Sequence, residues 1–195
     1  MNYLAHLHLS GKNQGVMLGN FMADGIRGEQ YLDYPEALQR GILMHRWIDQ
    51  FTDQHPIVRQ SKKRLFPSQG HYAAVVVDMM YDHFLAKNWM QFSDTPLEIY
   101  AQTFYAYLDQ NTDLLPHRIL HLKPYLIKQN WLVAYSSTDG LHRALKGMHS
   151  STSHHSNMDT AVVEIIKDYD IYYDEFSAFY NDLETQALKE WPHLH

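Results

Sequence analysis

Carboxylates and imidazoles recur through the first half of the chain at spacings that suit a metal-assisted reaction. In MHRWIDQFTD, His45 and Asp49 lie four residues apart, so on a helix their side chains are neighbours, and Asp53 continues the row. In VVVDMMYDHF, Asp78 and Asp82 repeat that spacing, with His83 pointing about a quarter turn away. Asp78 follows three valines and precedes two methionines, a context that predicts burial. A buried carboxylate needs a hydrogen-bond donor, an opposite charge or a metal. In ADGIRG, Asp24 and Arg27 are three apart, which sets a carboxylate for a cation beside a guanidinium for an anion. Imidazole plus carboxylate is a donor set for Mn²⁺, Mg²⁺, Fe²⁺ or Zn²⁺ rather than Cu⁺. A metal-activated water is the better nucleophile candidate, because the chain contains no G-x-S-x-G elbow, P-loop, dinucleotide-binding fingerprint or H-E-x-x-H motif.

Each signal has a plainer reading. A single Asp/His pair at helical spacing is more often a surface or structural pair, and it is the succession of three that points to a metal centre. His6 and His8 diverge on a helix and share a face on a strand, so His6 reads either as a packing residue or as a ligand or proton carrier, and His8 is the weaker of the two. Arg46, beside the His45 row, either faces a phosphate or pairs with an acid. Arg59, Lys62, Lys63 and Arg64 in RQSKKR stand without an acid among them, as a solvated basic turn or as a docking patch for an acidic partner.

Composition bounds these options. The 195 residues suit a single domain spanning 1–195, and a hydrophobic content of 45% can build a core. With no cysteine, a disulfide scaffold, a thiolate zinc site, an iron–sulfur cluster and a cysteine nucleophile are excluded. The opening MNYLAHLHLS lacks the basic region of a signal peptide. Apolar runs such as AAVVV fall far below the roughly 20 residues of a membrane span. These features predict a soluble cytoplasmic protein without a membrane partner. The net charge of −6 disfavours broad nucleic-acid binding. Of the 14 histidines, His149, His154 and His155 fall in a Ser-rich stretch that reads as a surface loop.

The elements that must position these groups are helical, since most apolar residues recur at helical spacing. Residues 1–10 alternate ambiguously and are read as a helix or buried turn. A short helix between the glycines of 11–28 carries Asp24 near its end. Pro35 opens a helix over 36–54, and Pro56 either starts another or kinks the first. Helices are predicted over 72–90, 96–110, 121–135, 138–147 and 160–188. The three valines at 75–77 could belong to a strand, but the run continues with helical spacing. The nine acids and two lysines between 159 and 190 read as a solvated helix face.

The segments MNYLAHLHL, GNFMADGIRG, GILMHRWIDQFTD and VVVDMMYDHFLAKNW, in that order, together resemble the acyl carrier protein phosphodiesterase family, and the later KPYLIKQNWLVAY also fits. The resemblance covers nearly the whole chain. It implies an all-α, compact multi-helix fold like the HD-domain phosphohydrolases, and a divalent cation with Mn²⁺ preferred. The implied reaction removes the 4′-phosphopantetheine arm from holo acyl carrier protein, a small and strongly acidic partner. The family's motif acids and histidine match Asp24, His45, Asp49, Asp78 and Asp82, taken here as the metal ligands. His83 follows Asp82, the reverse of the His-Asp order usual in HD proteins. His83, with His6 as the alternative, is the expected proton donor. Arg27 and Arg46 are expected to offset phosphoryl charge, and Arg59, Lys62, Lys63 and Arg64 to dock the carrier. Two alternatives stay open: a helical phosphohydrolase acting on a nucleotide or another small phosphodiester, and a non-catalytic protein that binds the carrier.

Overall fold

A computed structural model describes residues 1–152 and 156–192, and all regular structure among them is helical. The ambiguous start is helix α1, Tyr3–Leu9. A seven-residue helix has too few internal hydrogen bonds to stand alone. Its free N-terminal N–H groups are instead met by the Asp82 carboxylate, which accepts from Leu4 at 2.7 Å and from Asn2 and Ala5 at 3.3 Å each. Helix α2, Gln14–Met22, is capped by Asn13, whose side chain accepts from the Val16 N–H. A 3₁₀ turn at Ala23–Gly25 then carries Asp24.

Helix α3 is Glu36–Gln54, as expected, and Pro56 opens the new helix α4, Pro56–Gln69, rather than kinking the old one. The valine run is helical, within α5, Ala73–Lys87. Helix α6 is Leu97–Gln110. The stretch expected as one helix over 121–135 divides into α7, His117–Lys128, and α8, Trp131–Ala134, because Asn130 between them is left-handed at φ 46°. Helix α9, Thr138–Ser151, reaches past the expected end and takes in His149, whose ring bonds Ser156 Oγ at 2.9 Å, so His149 is not a loop residue. His154 and His155 lie outside the described residues. The expected helix over 160–188 breaks at Asp168 into α10, Ala161–Lys167, and α11, Tyr169–Glu190. No described helix is long and apolar enough to cross a membrane.

Two features of the packing set the site. Helices α2 and α3 meet backbone to backbone. A Cβ on Gly41 would lie 2.2 Å from the Val16 carbonyl oxygen, and one on Gly19 would lie 2.2 Å from that of Leu38. Below them, α5 carries Tyr81 and Phe84 into a buried aromatic layer with Phe176, Phe179 and Tyr180 of α11. That layer holds α5 in place under α1.

Replacing Gly41 by alanine should force α2 and α3 apart. Urea unfolding should show a loss of about 2 kcal/mol or more, in the range of core overpacking. An unchanged midpoint would mean the two backbones are not pressed together.

Candidate metal centre

Four side chains from three separate stretches converge beside α1. His6 projects from α1, Asp24 from the turn after α2, and His45 and Asp49 from α3, where their four-residue spacing sets them on one face. His45 Nε2 lies 3.2 Å from Asp49 Oδ2 and 3.4 Å from Asp24 Oδ1, and His6 Nε2 lies 3.3 Å from Asp49 Oδ1. The two imidazoles stack with centroids 4.1 Å apart. Ligand atoms of His6, His45 and Asp49 all lie within 4.8 Å of one another. They open into a cleft of about 360 Å³, which Asp53, Asp78 and Met148 also line.

Asn20 fixes how both rings are turned. Its backbone carbonyl lies 2.9 Å from His45 Nδ1, and a carbonyl can only accept, so Nδ1 carries the proton. Its side-chain nitrogen donates to the His6 carbonyl oxygen and to Ser10 Oγ at 2.9 Å each, which leaves Oδ1 facing His6 Nδ1 at 2.8 Å as an acceptor. Both rings therefore turn Nε2 toward the carboxylates. An imidazole that gives its other N–H to a carbonyl is the usual arrangement of a metal ligand.

The charges follow from this crowding. Burial lowers the His6 pKa to about 4, and the neighbouring His45 charge adds to that. Burial also opposes the His45 charge, but its bonds to Asp24 and Asp49 outweigh it and push the pKa up to about 9. The Asp24 carboxyl is held below its usual range chiefly by its bond to His45. Burial would raise Asp49, yet the two imidazoles hold it far below the ordinary carboxylate range. His6 Nε2 is buried without a hydrogen-bond partner, although it points into the cluster. Two imidazole nitrogens and the Asp49 carboxylate, one nitrogen orphaned and Asp24 beside His45, fit a divalent cation.

Several expected residues stand elsewhere. Asp82 is fully buried and caps α1 with both oxygens, apart from the cluster; burial raises its pKa to about 7 against those three N–H groups. Asp78 lines the cleft outside the His6–His45–Asp49 group and makes no contact with its imidazoles; its Oδ1 lies 3.1 Å from the Met1 nitrogen. His83 is buried between the Tyr135 carbonyl at 2.7 Å and the Tyr169 hydroxyl at 2.8 Å, and it does not line the cleft. Arg27 is exposed and does not line the cleft. Arg46 donates to the Gly28 carbonyl at 2.8 Å and lies over the Tyr31 ring, so it is engaged in holding the loop after Asp24.

The cation beside the cluster is one that sequence spacing did not single out. Arg118 of α7 lies 3.9 Å from Asp24 Oδ2 and is 65% exposed. It arrives because Pro116 packs onto Gly25, where a Cβ would meet it at 2.5 Å. Asn20 was also missed, since an amide carries no charge to mark it. Of the basic run, Arg59 donates to the Asp53 carbonyl, Lys62 pairs with the Asp53 carboxylate at 2.7 Å, and Arg64 pairs with Glu175. A larger cleft of about 750 Å³ lies on the His8 side of α1, but no three metal-ligating groups meet there among the described residues.

Comparison with known proteins agrees with the sequence motifs. The family model described as acyl carrier protein phosphodiesterase matches residues 1–183. The acyl carrier protein phosphodiesterase of Enterobacter sp. (strain 638) is 33% identical over 188 residues, covering 96% of this chain and 97% of that protein. That of Salmonella agona (strain SL483) is 32% identical over 191 residues, covering 97% and 99%. No solved structure matches, so the expected kinship with HD-domain phosphohydrolases rests on the sequence resemblance.

The division of labour at Asn20 can be read by nuclear magnetic resonance of the ring N–H groups. Asn20→Leu should abolish the protected His6 Nδ1–H signal and keep that of His45, whose acceptor is main chain. Stability should fall by about 2 kcal/mol from the partners left unpaired. Loss of both signals in a folded variant, or of neither, would contradict the assignment.

Proposed function

The chain belongs to the acyl carrier protein phosphodiesterase family, and from that premise we propose that it hydrolyses the phosphodiester joining 4′-phosphopantetheine to the serine of holo acyl carrier protein, giving apo carrier and free 4′-phosphopantetheine. The observation that carries the mechanistic part is the convergence of His6, His45 and Asp49, with Asp24 on the far side of His45. His6 and His45 through Nε2, and Asp24 and Asp49 through carboxylate oxygens, hold a divalent cation. The family resemblance favours Mn²⁺, and the same donors accept Mg²⁺, Fe²⁺ or Zn²⁺. Such an ion, when bound, polarises a phosphoryl oxygen and supplies hydroxide near neutral pH.

The remaining work falls to the chain's own groups. Arg118 offers a guanidinium at the rim, suited to gripping the phosphate's non-bridging oxygens and offsetting their growing charge. It takes the part expected of Arg27 and Arg46. Asn20 keeps both rings from turning away. His6, the alternative proton donor, is a ligand in this reading. Asp53 and Asp78 are the other carboxyl groups lining the cleft. The four converging donors support catalysis over a purely docking role.

Protein stripped of metal by a chelator should leave holo carrier intact, and added Mn²⁺ should restore loss of the whole arm, read by mass spectrometry. His45→Ala and Asp49→Ala should each lower the restored rate by about a hundredfold or more. Intact carrier under every metal condition would sink the reading. Arg118→Ala should lower kcat/KM by about ten- to a hundredfold with the fold unchanged, and Arg118→Lys should recover part of it. Equal rates for all three side chains would remove Arg118 from the site.

A further inference from the structure

We infer that the protein docks its acidic partner on the outer surface of α7 and α9, beside the cleft, and not on the basic run of α4; this rests on the carrier-protein reading above. Charge in this chain is segregated. Residues 114–158 hold Arg118, Lys123, Lys128, Arg143 and Lys146 against a single acid, Asp139. The rest of the chain holds 11 cations and 21 acids, counted from the 16 and 22 of the whole. Asp109 pairs with Lys123 and Asp24 lies 3.9 Å from Arg118, which leaves Lys128, Arg143 and Lys146 as this arm's cations without an ion pair among the described residues, in a chain of net charge −6.

That arm borders the candidate site. Arg118 at the start of α7 reaches Asp24, and Met148 on the inner face of α9 lines the cleft. Tyr135, between the two helices, accepts from the Asn2 side chain at 3.3 Å at the cleft wall. Lys128, Arg143 and Lys146 are exposed, and none forms a salt bridge among the described residues. Exposed Tyr125 adds an apolar contact on α7.

The α4 run lacks these properties. Asp53 and Glu175 engage three of its four bases. Helix α11, which carries six acids of its own against one lysine, packs against it and offsets much of its field. Of the two basic surfaces, the α7–α9 arm offers uncompensated charge next to the chemistry. Complementary charge there would steer encounter and set the register of a partner whose scissile bond must enter the cleft.

The test is binding of fluorescently labelled holo acyl carrier protein by the full chain, followed by anisotropy at low and moderate salt, with cleavage measured in parallel. The variant combines Lys128→Glu, Arg143→Glu and Lys146→Glu, residues outside the catalytic cluster. It should bind at least about tenfold more weakly and lose most of its salt dependence. The α4 pair Lys62→Glu and Lys63→Glu should change affinity by less than about twofold. If the triple reversal disturbs thermal unfolding, the neutral set of three glutamines replaces it, with about a threefold loss expected. Wild-type affinity in the folded triple variant, an equal loss in the α4 pair, or no binding by the wild type would overturn the surface. Binding through this arm with the prosthetic arm left intact would overturn the hydrolytic reading and keep the surface. Equal cleavage by wild type and triple variant would do the reverse.

Discussion

One asparagine supplies an acceptor to each of two imidazoles, and the geometry of the site depends on that division. The main-chain oxygen of Asn20 holds His45, and its side-chain oxygen holds His6. Without those acceptors each ring could take the other tautomer or rotate, and the Nε2 atoms would no longer converge. The amide can serve both because α2 and α3 touch through Gly19 and Gly41, the residue before Asn20 and the residue one helical turn before His45. A side chain at either glycine would separate the helices by more than a hydrogen bond can span. Backbone contact, ring orientation and donor geometry are thus consecutive links of one chain of causes.

His6 adds a second requirement, because it rides on a helix too short to persist alone. Asp82 supplies the missing support from beneath. Burying a carboxylate is costly, and here the cost is offset by three main-chain N–H groups at the positive end of α1. Asp82, expected among the ligands, is thus one step removed from the cluster. Its neighbour in the repeat, Asp78, sits one turn away and reaches the cleft. The same four-residue spacing produced a converging pair in α3 and a divided pair in α5, because α5 passes under the start of α1 while α3 flanks the cleft.

This contrast marks what a sequence of this kind can disclose. Helix α3 was legible end to end, since proline, periodicity and the His45–Asp49 pair all agreed. The breaks at Asn130 and Asp168 were not, because neither glycine nor proline marks them. Pairs within one helix could be read from spacing. His6 with Asn20, and Asp24 with Arg118, join distant segments, and no local periodicity encodes such meetings. Family motifs did point to Asp24, His45 and Asp49 together, but they also pointed to Asp82, since a motif preserves scaffold and ligand alike.

The electrostatic problem of the reaction links the two halves of the molecule. A phosphodiester approaching Asp24 and Asp49 meets negative charge, and a carrier protein approaching a chain of net charge −6 meets more. In the proposed reading a cation held by His6, His45 and Asp49, with Arg118 at the rim, would relieve the first repulsion over a few ångströms. The second acts over roughly a Debye length, about 8 Å at physiological salt, so it must be relieved by surface charge close to the cleft. Bases on α4 are already matched by Asp53 and Glu175 and cannot meet that need. Keeping acids out of residues 114–158 can, because it leaves a positive approach to the Arg118 rim while the remaining surface stays acidic.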